Sequence, residues 1–229
     1  MEFTKLSNRL DLVASFVPAG ARLLDVGSDH AYLPIALLQE GKIEAAIAGE
    51  VVEGPYQSAL QNVADNGLED KIEVRLANGL AAFEPTDGIS CITIAGMGGR
   101  LIADILAAGL VKLASVSRLV LQPNNREDEL RAWLVDNDFR IVDEAILEEN
   151  EKFYEILVVE QGSQELSAKE LRFGPYLMQE QAPAFVQKWS KEVEKLAFAL
   201  EQVPVENQSA RASLEERIAQ IKEVLRVSK

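Results

Sequence analysis

The residues best suited to chemistry lie together in one segment, LLDVGSDHAYLP, which runs from Leu23 to Pro34. The segment holds the only histidine of the chain, His30, with two carboxylates, Asp25 and Asp29, and one phenol, Tyr32. Carboxylates can stabilise a cation, while an imidazole and a phenol can hydrogen-bond to a flat ligand or stack on it. These side chains therefore form the first candidate site.

A glycine follows the apolar run ARLLDV, where the predicted strand ends at Val26. Gly27 can turn sharply and leave its backbone open to a ligand because it has no Cβ. Ligands of open α/β sheets bind beyond the carboxyl ends of the strands, so we expect Gly27 and Ser28 to line a crevice. An ordinary strand-to-helix turn is the alternative. The three-glycine dinucleotide fingerprint is absent, which argues against a dehydrogenase, and the absence of a P-loop motif argues against a site that cradles phosphates.

Two further strand ends carry polar residues. The run AIAGE ends at Glu50, whose carboxylate could accept both hydroxyls of a ribose, or could simply lie at the surface. The run IEVRLA leads into Asn78 and Gly79, where an amide could read an adenine edge or form a turn. Together the three strand ends fit an adenosine that carries an amino-acid tail and no phosphate.

The order of apolar runs predicts the elements that position these residues. Up to about residue 160, short strands alternate with helical segments, which indicates a mostly parallel sheet with helices on both faces. The runs FRIVDEAILEE and KFYEILVVE then predict an antiparallel hairpin at one sheet edge. Beyond Gly162, apolar residues at three- and four-residue steps predict two antiparallel helices in a short coiled coil. We expect an α/β domain over residues 1–162 and a helical coiled-coil domain over residues 163–229.

The net charge of −14 argues against general nucleic-acid binding. The acidic excess lies entirely before residue 165, since residues 165–229 carry ten acidic and ten basic side chains. A polyanion would therefore need a local basic patch. Lys188, Lys191 and Lys195 repeat at helical spacing and could contact phosphates, or could lie on a solvated face of the coiled coil.

The single cysteine, Cys91, lies in the apolar run ISCITIAG, which favours a buried side chain over a reactive thiol. One cysteine and one histidine cannot form a disulfide framework or a structural zinc site of nitrogen and sulfur ligands. Apolar runs also stay well below the length of a membrane span. We expect a cytoplasmic protein that binds neither a metal nor a membrane.

Six motifs together resemble the bacterial tRNA adenine-22 N1-methyltransferases, the TrmK family. They are DVGSDHAYLP, AGE followed by GPYQSA, AGMGG, LQPN, YEI and FGPYL, and they extend through nearly the whole chain. The resemblance implies a Rossmann-like class I methyltransferase that uses S-adenosylmethionine, with a helical C-terminal domain that helps to grip tRNA. It also implies that Asp25 to Tyr32 surround the methionine moiety, that Glu50 and Val51 meet the ribose, and that Asn78 and Gly79 meet the adenine. Asn78 stands where many relatives carry aspartate.

The AGMGG segment, Ala95 to Gly99, lacks the N/D-P-P-Y loop that many amino-methyltransferases place after the fourth strand. Its glycines allow a flat ligand to approach the backbone, and Met97 offers an apolar contact. We expect Ala95, Gly96 and Met97 to contact the cofactor, and Gly98 and Gly99 to contact the substrate. A flexible turn before a helix is the alternative.

Methyl transfer to N1 of adenine needs no prior deprotonation, because this nitrogen already carries a lone pair. Positioning can therefore supply much of the acceleration. Asp29 is the first candidate for a carboxylate beside the developing cation, with His30 and Tyr32 as aids to base placement. The alternatives are a helix N-cap for Asp29 and a hydrogen-bonded histidine without a role in proton transfer for His30.

Two residues outside the main segment could also reach the site. Asn124 follows the fifth strand and could contact the substrate, although helix capping by Asn124 or Asn125 is the favoured alternative. Arg9 could pair with the methionine carboxylate, or could lie on a solvated helix face.

The sequence thus predicts an S-adenosylmethionine-dependent enzyme that methylates N1 of adenine 22 in tRNA. A protein that binds S-adenosylmethionine without turnover, as a sensor or interaction protein, is one alternative. A methyltransferase for another RNA or for a small molecule is a second alternative. The oligomeric state stays open, with a monomer slightly favoured.

Overall fold

The computed structural model describes residues 4–226, so the outermost parts of the two expected domains, residues 1–3 and 227–229, lie outside it. The strands are β1 (Ala21–Val26), β2 (Ile43–Glu50), β3 (Ile72–Leu76), β4 (Cys91–Met97), β5 (Arg118–Pro123), β6 (Phe139–Glu149) and β7 (Lys152–Gln161). The helices are α1 (Asn8–Phe16), α2 (Tyr32–Gln39), α3 (Glu53–Asp65), α4 (Gly99–Ala108), α5 (Glu127–Asp136), α6 (Ala168–Phe173), α7 (Leu177–Glu180), α8 (Pro183–Gln202) and α9 (Gln208–Arg226).

The strands form one sheet in the order β3-β2-β1-β4-β5-β7-β6. Strands β1 to β5 pair in parallel, whereas β7 runs antiparallel to both β5 and β6. The predicted mostly parallel sheet with an antiparallel hairpin is therefore confirmed. The strand order reverses direction at β1, between β2 and β4, which makes the carboxyl end of β1 the expected place for a ligand.

Two apolar cores cover the two faces of this sheet. Helices α1, α2 and α3 pack on one face, with Val13, Leu33 and Ala59 among the buried residues. Helices α4 and α5 pack on the other face, through residues that include Ile102 and Leu130. The central strands are buried on both sides, which explains why their sequences read as continuous apolar runs rather than as alternating ones.

Cys91 begins β4 and is fully buried, as its apolar surroundings predict. Burial raises the pKa of the thiol to about 12. The side chain therefore packs as a small apolar group, and the reactive thiolate does not form at neutral pH.

The C-terminal helices share a third core with the hairpin of the sheet. Ile146 of β6 packs in this core with Phe173, Phe185 and Trp189, and Leu196 extends it along α8. Helices α8 and α9 pack against each other as expected, whereas the short helices α6 and α7 follow from no pattern noted in the sequence. Whether residues 163–229 form a separate domain stays a prediction, but the shared core ties them to the sheet.

A buried ion-pair network joins the sheet to these helices. Arg131 of α5 is fully buried, and its Nε donates to Oε1 of Glu144 in β6 at 2.7 Å. Its Nη2 donates to Glu155 of β7, and its Nη1 donates to the carbonyl of Leu171 at 3.2 Å. Glu144 in turn accepts the backbone N–H of Tyr176 at 2.9 Å. The network thus holds the chain between α6 and α7 against the hairpin.

Residues 4–226 contain no helix that combines enough length with enough apolar character to cross a membrane. Within the same range, no group of three or more His, Cys, Asp or Glu side chains is arranged to hold a metal ion.

Loss of Arg131 should destabilise the fold strongly. Arg131→Met keeps a long side chain but leaves the buried Glu144 without a cation and leaves Glu155 with Lys188 alone, so we expect the free energy of unfolding to fall by about 3 to 5 kcal/mol in urea denaturation. Arg100→Met is the matched control, because Arg100 pairs with Glu129 at the surface. The control should shift the midpoint little, and equal shifts for both variants would contradict the role of the network.

Candidate active site

The loop after β1 begins at Gly27, which has a φ of +67°. Its N–H and that of Ser28 both donate to the carbonyl of Gly49 in β2, at 2.9 and 3.2 Å. A Cβ at Gly27 would meet the flexible end of the side chain of Met97, the last residue of β4. Gly27 therefore supplies the positive φ of the turn after β1, at the switch point of the sheet and close to the end of β4.

Asp25 lies beneath this loop and is only 4% exposed. Its two carboxylate oxygens accept hydrogen bonds from Ser28 Oγ and Thr93 Oγ1, each at 2.6 Å. Burial raises the pKa of Asp25 to about 6, although both hydroxyl donors oppose this change. The carboxyl group can therefore gain or lose its proton near neutral pH.

Asp29, His30 and Ala31 all have positive φ values, of 44°, 65° and 59°. Three consecutive non-glycine residues in the left-handed region are costly, because each Cβ crowds the backbone. The run is held at both ends: the N–H of Asp29 donates to Oε1 of Glu50 at 2.7 Å, and Asn62 Nδ2 donates to the carbonyl of His30 at 3.0 Å. The strained turn thereby becomes part of the rim of the site, by which we mean the segments that surround the crevice at the carboxyl ends of the strands.

The turn leaves three side chains at the surface of the rim. The side chain of Asp29 is 78% exposed and that of His30 is 41% exposed, with Oδ1 of Asp29 3.6 Å from Nε2 of His30. The rings of His30 and Tyr32 stack with centroids 5.4 Å apart. Helix α2 begins at Tyr32, and the residue at its N-cap, Ala31, provides no side-chain hydrogen bond. The alternative of Asp29 as a helix cap is therefore wrong, because the left-handed turn keeps its side chain away from the helix.

Glu50 ends β2 beside this turn and is 6% exposed, so it is not a surface glutamate. Burial raises the pKa of its carboxyl group, although the N–H of Asp29 opposes the change. No described residue donates to its second oxygen, Oε2, which leaves that atom able to accept from a ligand. Val51 follows as an exposed apolar residue.

The segment after β3 forms a separate part of the rim. Asn78 is exposed and precedes a short 3-10 helix, Gly79–Ala82, without capping it. Asn78 and the buried Gly79 line a cavity of about 430 Å³ together with Leu101 and Ile105 of α4. The exposed Asn78 thus lies at a cavity whose lining is mostly apolar but also includes Asp104 and Lys112.

The segment from Ala95 to Gly99 comprises the end of β4 and the start of α4, and it is held by the end of β5. The N–H of Gly96 donates to Oε1 of Gln122 at 3.0 Å, and its carbonyl accepts from Nδ2 of Asn124 at 2.7 Å. The N–H of Gly99 donates to the carbonyl of Asn125 at 2.9 Å. The loop is therefore ordered by these bonds, which contradicts the alternative of a flexible turn.

Two alternatives from the sequence are wrong at this loop. Asn124 and Asn125 do not cap α5, because its N-cap residue is Arg126, with no side-chain hydrogen bond. Arg9 does not lie on a solvated helix face, since its Nη1 donates to Oε1 of Gln122 at 2.7 Å. Its guanidinium also lies 5.6 Å from the ring centroid of Tyr154. In both cases the side chain bonds to a segment distant in the sequence: Asn124 donates to the carbonyl of Gly96, and Arg9 donates to Gln122.

A cleft of about 770 Å³ runs from Asn124 to helix α8. Lys188, Lys191 and Lys195 all line it, together with Arg172 and Arg217. Cations lie over the rings of its wall: Lys191 Nζ is 4.9 Å from the centroid of Phe153, and the guanidinium of Arg172 is 5.7 Å from that of Trp189. The predicted lysine stripe therefore faces a cleft that reaches the rim.

The three lysines differ in their surroundings. Lys188 is neither solvated nor free, because it donates to Glu155 at 2.7 Å and to Glu127 at 3.0 Å. Lys191 pairs with Glu148 at 2.9 Å but stays 49% exposed, while Lys195 is 79% exposed. Lys191 and Lys195 are thus accessible, whereas Lys188 belongs to the buried ion-pair network.

Four further rim residues were not among the sequence candidates: Asn62, Thr93, Gln122 and Tyr154. Thr93 and Gln122 are fully buried, and each is a polar residue within or at the end of an apolar strand, which is a signal that the sequence does contain. Gln122 also lies in the LQPN motif. Asn62 has no such signal in the sequence. It lies on a mostly polar helix, and it donates to the carbonyl of His30, which is 32 residues away along the chain.

The fold is that of a Rossmann-like class I methyltransferase. It is defined by the order of the strands with an antiparallel β7, by the glycine turn at the switch point, and by the acidic residue that ends β2. Residues 23–223 match the family model described as TrmK, tRNA (adenine(22)-N(1))-methyltransferase. The chain belongs to this family, which confirms the resemblance carried by the six motifs.

Several relatives are similar over nearly their whole length. A tRNA (adenine(22)-N(1))-methyltransferase of Bacillus subtilis is 41% identical over 237 residues, which cover 98% of this chain and 99% of the relative. Sp1610 of Streptococcus pneumoniae in complex with S-adenosyl-L-methionine is 66% identical, with a TM-score of 0.90 and coverage of 96% and 100%. M. capricolum TrmK in complex with S-adenosyl-homocysteine is 28% identical, with a TM-score of 0.84 and coverage of 98% and 99%.

The raised pKa of Asp25 should make stability depend on pH. The folded state holds the proton more tightly than the unfolded state, so the stability contributed by this group falls as pH rises from about 4 to about 6. A shift of about two pKa units corresponds to about 3 kcal/mol. In urea denaturation, Asp25→Asn should therefore gain stability relative to the wild type across this range. The exposed Asp70 provides the control Asp70→Asn, and a wild-type curve parallel to that of Asp25→Asn would contradict the burial effect.

Proposed function

We propose that the chain transfers the methyl group of S-adenosylmethionine to N1 of adenine 22 in tRNA. The observation that carries this proposal is the bond from the turn at Asp29 to Glu50, together with the approach of Met97 to Gly27 at the switch point of the sheet, in a chain of the TrmK family. The cofactor supplies a methyl group on a positively charged sulfur. The residues at the rim fit such a ligand, because carboxylates favour a cation and Gly27, with its positive φ, turns the chain without a side chain over the crevice.

The site residues named from the sequence keep their roles as parts of this proposal. The turn from Asp25 to Tyr32, with Arg9 nearby, would surround the methionine moiety. Glu50 would accept the ribose hydroxyls through Oε2, with Val51 beside the sugar. Asn78 and Gly79 would meet the adenine, and Ala95, Gly96 and Met97 would form the wall between cofactor and substrate. Gly98, Gly99 and Asn124 would lie on the substrate side of that wall.

The rim supports a mechanism that depends mainly on position. N1 of adenine attacks through its own lone pair, so no side chain has to remove a proton first. The exposed carboxylate of Asp29 can approach the cation that forms on the methylated base, which stabilises the transition state. The stacked rings of His30 and Tyr32 offer a surface against which the base can be placed.

The reaction is tested by incubating the protein with S-adenosylmethionine and unmodified tRNA and mapping the methyl group by mass spectrometry. We expect 1-methyladenine at position 22, and a turnover rate about 10²-fold lower in Asp29→Ala, because the variant loses one stabilising charge. S-adenosylmethionine should bind Asp29→Ala in calorimetry about as tightly as it binds the wild type. Asp70→Ala, which removes an exposed carboxylate outside the rim, is the control.

Binding of S-adenosylmethionine without methyl transfer would favour a sensor or interaction protein instead. Transfer to another nucleotide or to a small molecule would favour the second alternative. Full activity of Asp29→Ala would remove the role proposed for that carboxylate while leaving the reaction itself in place.

We further propose that the cleft beside α8 holds the tRNA backbone. Lys191 and Lys195 provide accessible charges, and the partly exposed ring of Phe153 provides a surface for an unpaired base. The cleft meets the rim at Asn124, so a strand held there can reach the methyl donor. Lys188 contributes by placing α8 through its bonds to Glu127 and Glu155 rather than by free contact with phosphate.

Removal of two charges tests this cleft. Lys191→Gln and Lys195→Gln should each weaken tRNA binding and reduce the slope of log affinity against log salt by about 1, because each lost contact releases fewer counterions. Affinity for S-adenosylmethionine should not change. Lys222→Gln on α9, outside the cleft, is the matched control, and unchanged tRNA affinity of the two cleft variants across salt concentrations would exclude this surface.

A single chain carries every rim residue named above, which fits action as a monomer, and a tRNA substrate fits a cytoplasmic location. Both are proposals. Sedimentation of the protein with and without tRNA tests the first of them, because a dimer would sediment as twice the mass of one chain.

A further inference from the structure

The LQPN motif places a fully buried amide, that of Gln122, at the rim of the sheet. A buried amide is costly unless its donors and acceptors are all paired. Oε1 of Gln122 accepts from Gly96 N–H and from Arg9, while Nε2 donates to the carbonyl of Pro123 at 2.8 Å and to Oδ1 of Asn124 at 3.2 Å. The amide is therefore fully engaged, and its partners lead to the loop after β4.

These bonds hold Gly96 from both sides. Gln122 receives its N–H, and Asn124, which is itself held by Gln122, donates to its carbonyl. Gly96 has a φ of +79° and lies where the pairing of β4 with β5 shifts its register. An exposed glycine has wide conformational freedom, so this backbone conformation needs the two side chains to persist.

Arg9 reinforces the direction in which the amide of Gln122 points, which the N–H of Gly96 and the carbonyl of Pro123 also favour. A guanidinium group has donors only, so Arg9 can face Oε1 of Gln122 but not its NH2 group. This choice turns the acceptor toward Gly96 and the donor toward Asn124. Because Arg9 also lies over the ring of Tyr154, its own position is fixed by packing.

We propose that Gln122 is a positioning residue for methyl transfer, and that it acts with Asn124 and Arg9 by fixing the backbone of Gly96 beside the target base. This inference rests on the proposed function. Gln122 is buried and does not contact the substrate, so its effect passes through the loop from Ala95 to Gly99. In-line transfer depends on the placement of the acceptor, and a displacement of about 1 Å can lower the rate about 10²-fold.

The test compares kcat with KM in Gln122→Met and Asn124→Ala. Both variants release Gly96, so we expect kcat at saturating S-adenosylmethionine to fall about 10-fold or more. In Gln122→Met the KM for tRNA should change less than about 3-fold, because Gln122 is buried and does not contact the substrate. The double variant should lose little more than the stronger single variant, since both act on one residue. Gln122→Glu keeps the acceptor for Gly96 and Arg9 and should recover part of the lost rate.

A second measurement does not depend on activity. The amide proton of Gly96 should exchange with solvent faster in Gln122→Met than in the wild type, as followed by nuclear magnetic resonance. The control is Gln39→Met, which removes an amide that donates to Asn66 away from the rim. It should leave both kcat and the exchange of Gly96 unchanged, even where it lowers stability.

Suppose that the wild type is active and that kcat is unchanged in Gln122→Met or Asn124→Ala. This result would overturn the positioning role of Gln122 and leave the proposed function in place. The positioning role is also overturned if the losses of kcat in the two single variants add up in the double variant. It is overturned as well if the amide proton of Gly96 exchanges no faster in Gln122→Met than in the wild type. Should Gln122→Met fail to fold, the exposed Asn124→Ala still decides through its kcat. If the wild-type protein transfers no methyl group, this contradicts the proposed function and, with it, the positioning role of Gln122.

Discussion

One hydrogen bond, from the backbone N–H of Asp29 to the carboxylate of Glu50, joins the two loops on which the rim depends. The bond is possible because β1 and β2 are parallel neighbours, so both loops leave the sheet at the same edge. It shapes the first loop and also leaves one oxygen of Glu50 for a ligand. One oxygen of the Glu50 carboxylate thus holds the turn at Asp29, while the other stays able to accept a hydrogen bond from a ligand.

The same bond helps to hold a strained turn. Each left-handed residue from Asp29 to Ala31 costs about 1 to 2 kcal/mol relative to ordinary backbone. Burial of Ala31, the bond from Asn62 to His30 and the bond to Glu50 offset this cost. The strain has a use, because it turns Asp29, His30 and Tyr32 outward at the place where the methyl donor and the base would meet. A regular helical start would instead direct Asp29 toward the first turn of α2.

The sequence predicts the sheet well because strands buried on both faces read as continuous apolar runs, and because the glycine turn and Glu50 follow two of them directly. It also places the lysine stripe on one helix face. It does not predict that Arg9 reaches Gln122 or that Lys188 pairs with Glu155, since these partners are 113 and 33 residues apart. Local patterns report exposure and periodicity, whereas such pairs depend on which elements the sheet brings together. Asn124 shows the same limit: its neighbours suggest a helix cap, but the nearest carbonyl in space belongs to Gly96.

The most direct test of the rim is a crystal structure of this chain with S-adenosyl-homocysteine bound. We expect the ribose hydroxyls within hydrogen-bonding distance of Glu50, with the sulfur between the turn at Asp29 and the end of β4 at Gly96. A nucleoside bound at another edge of the sheet, or a Glu50 carboxylate turned away from the ribose, would contradict this expectation.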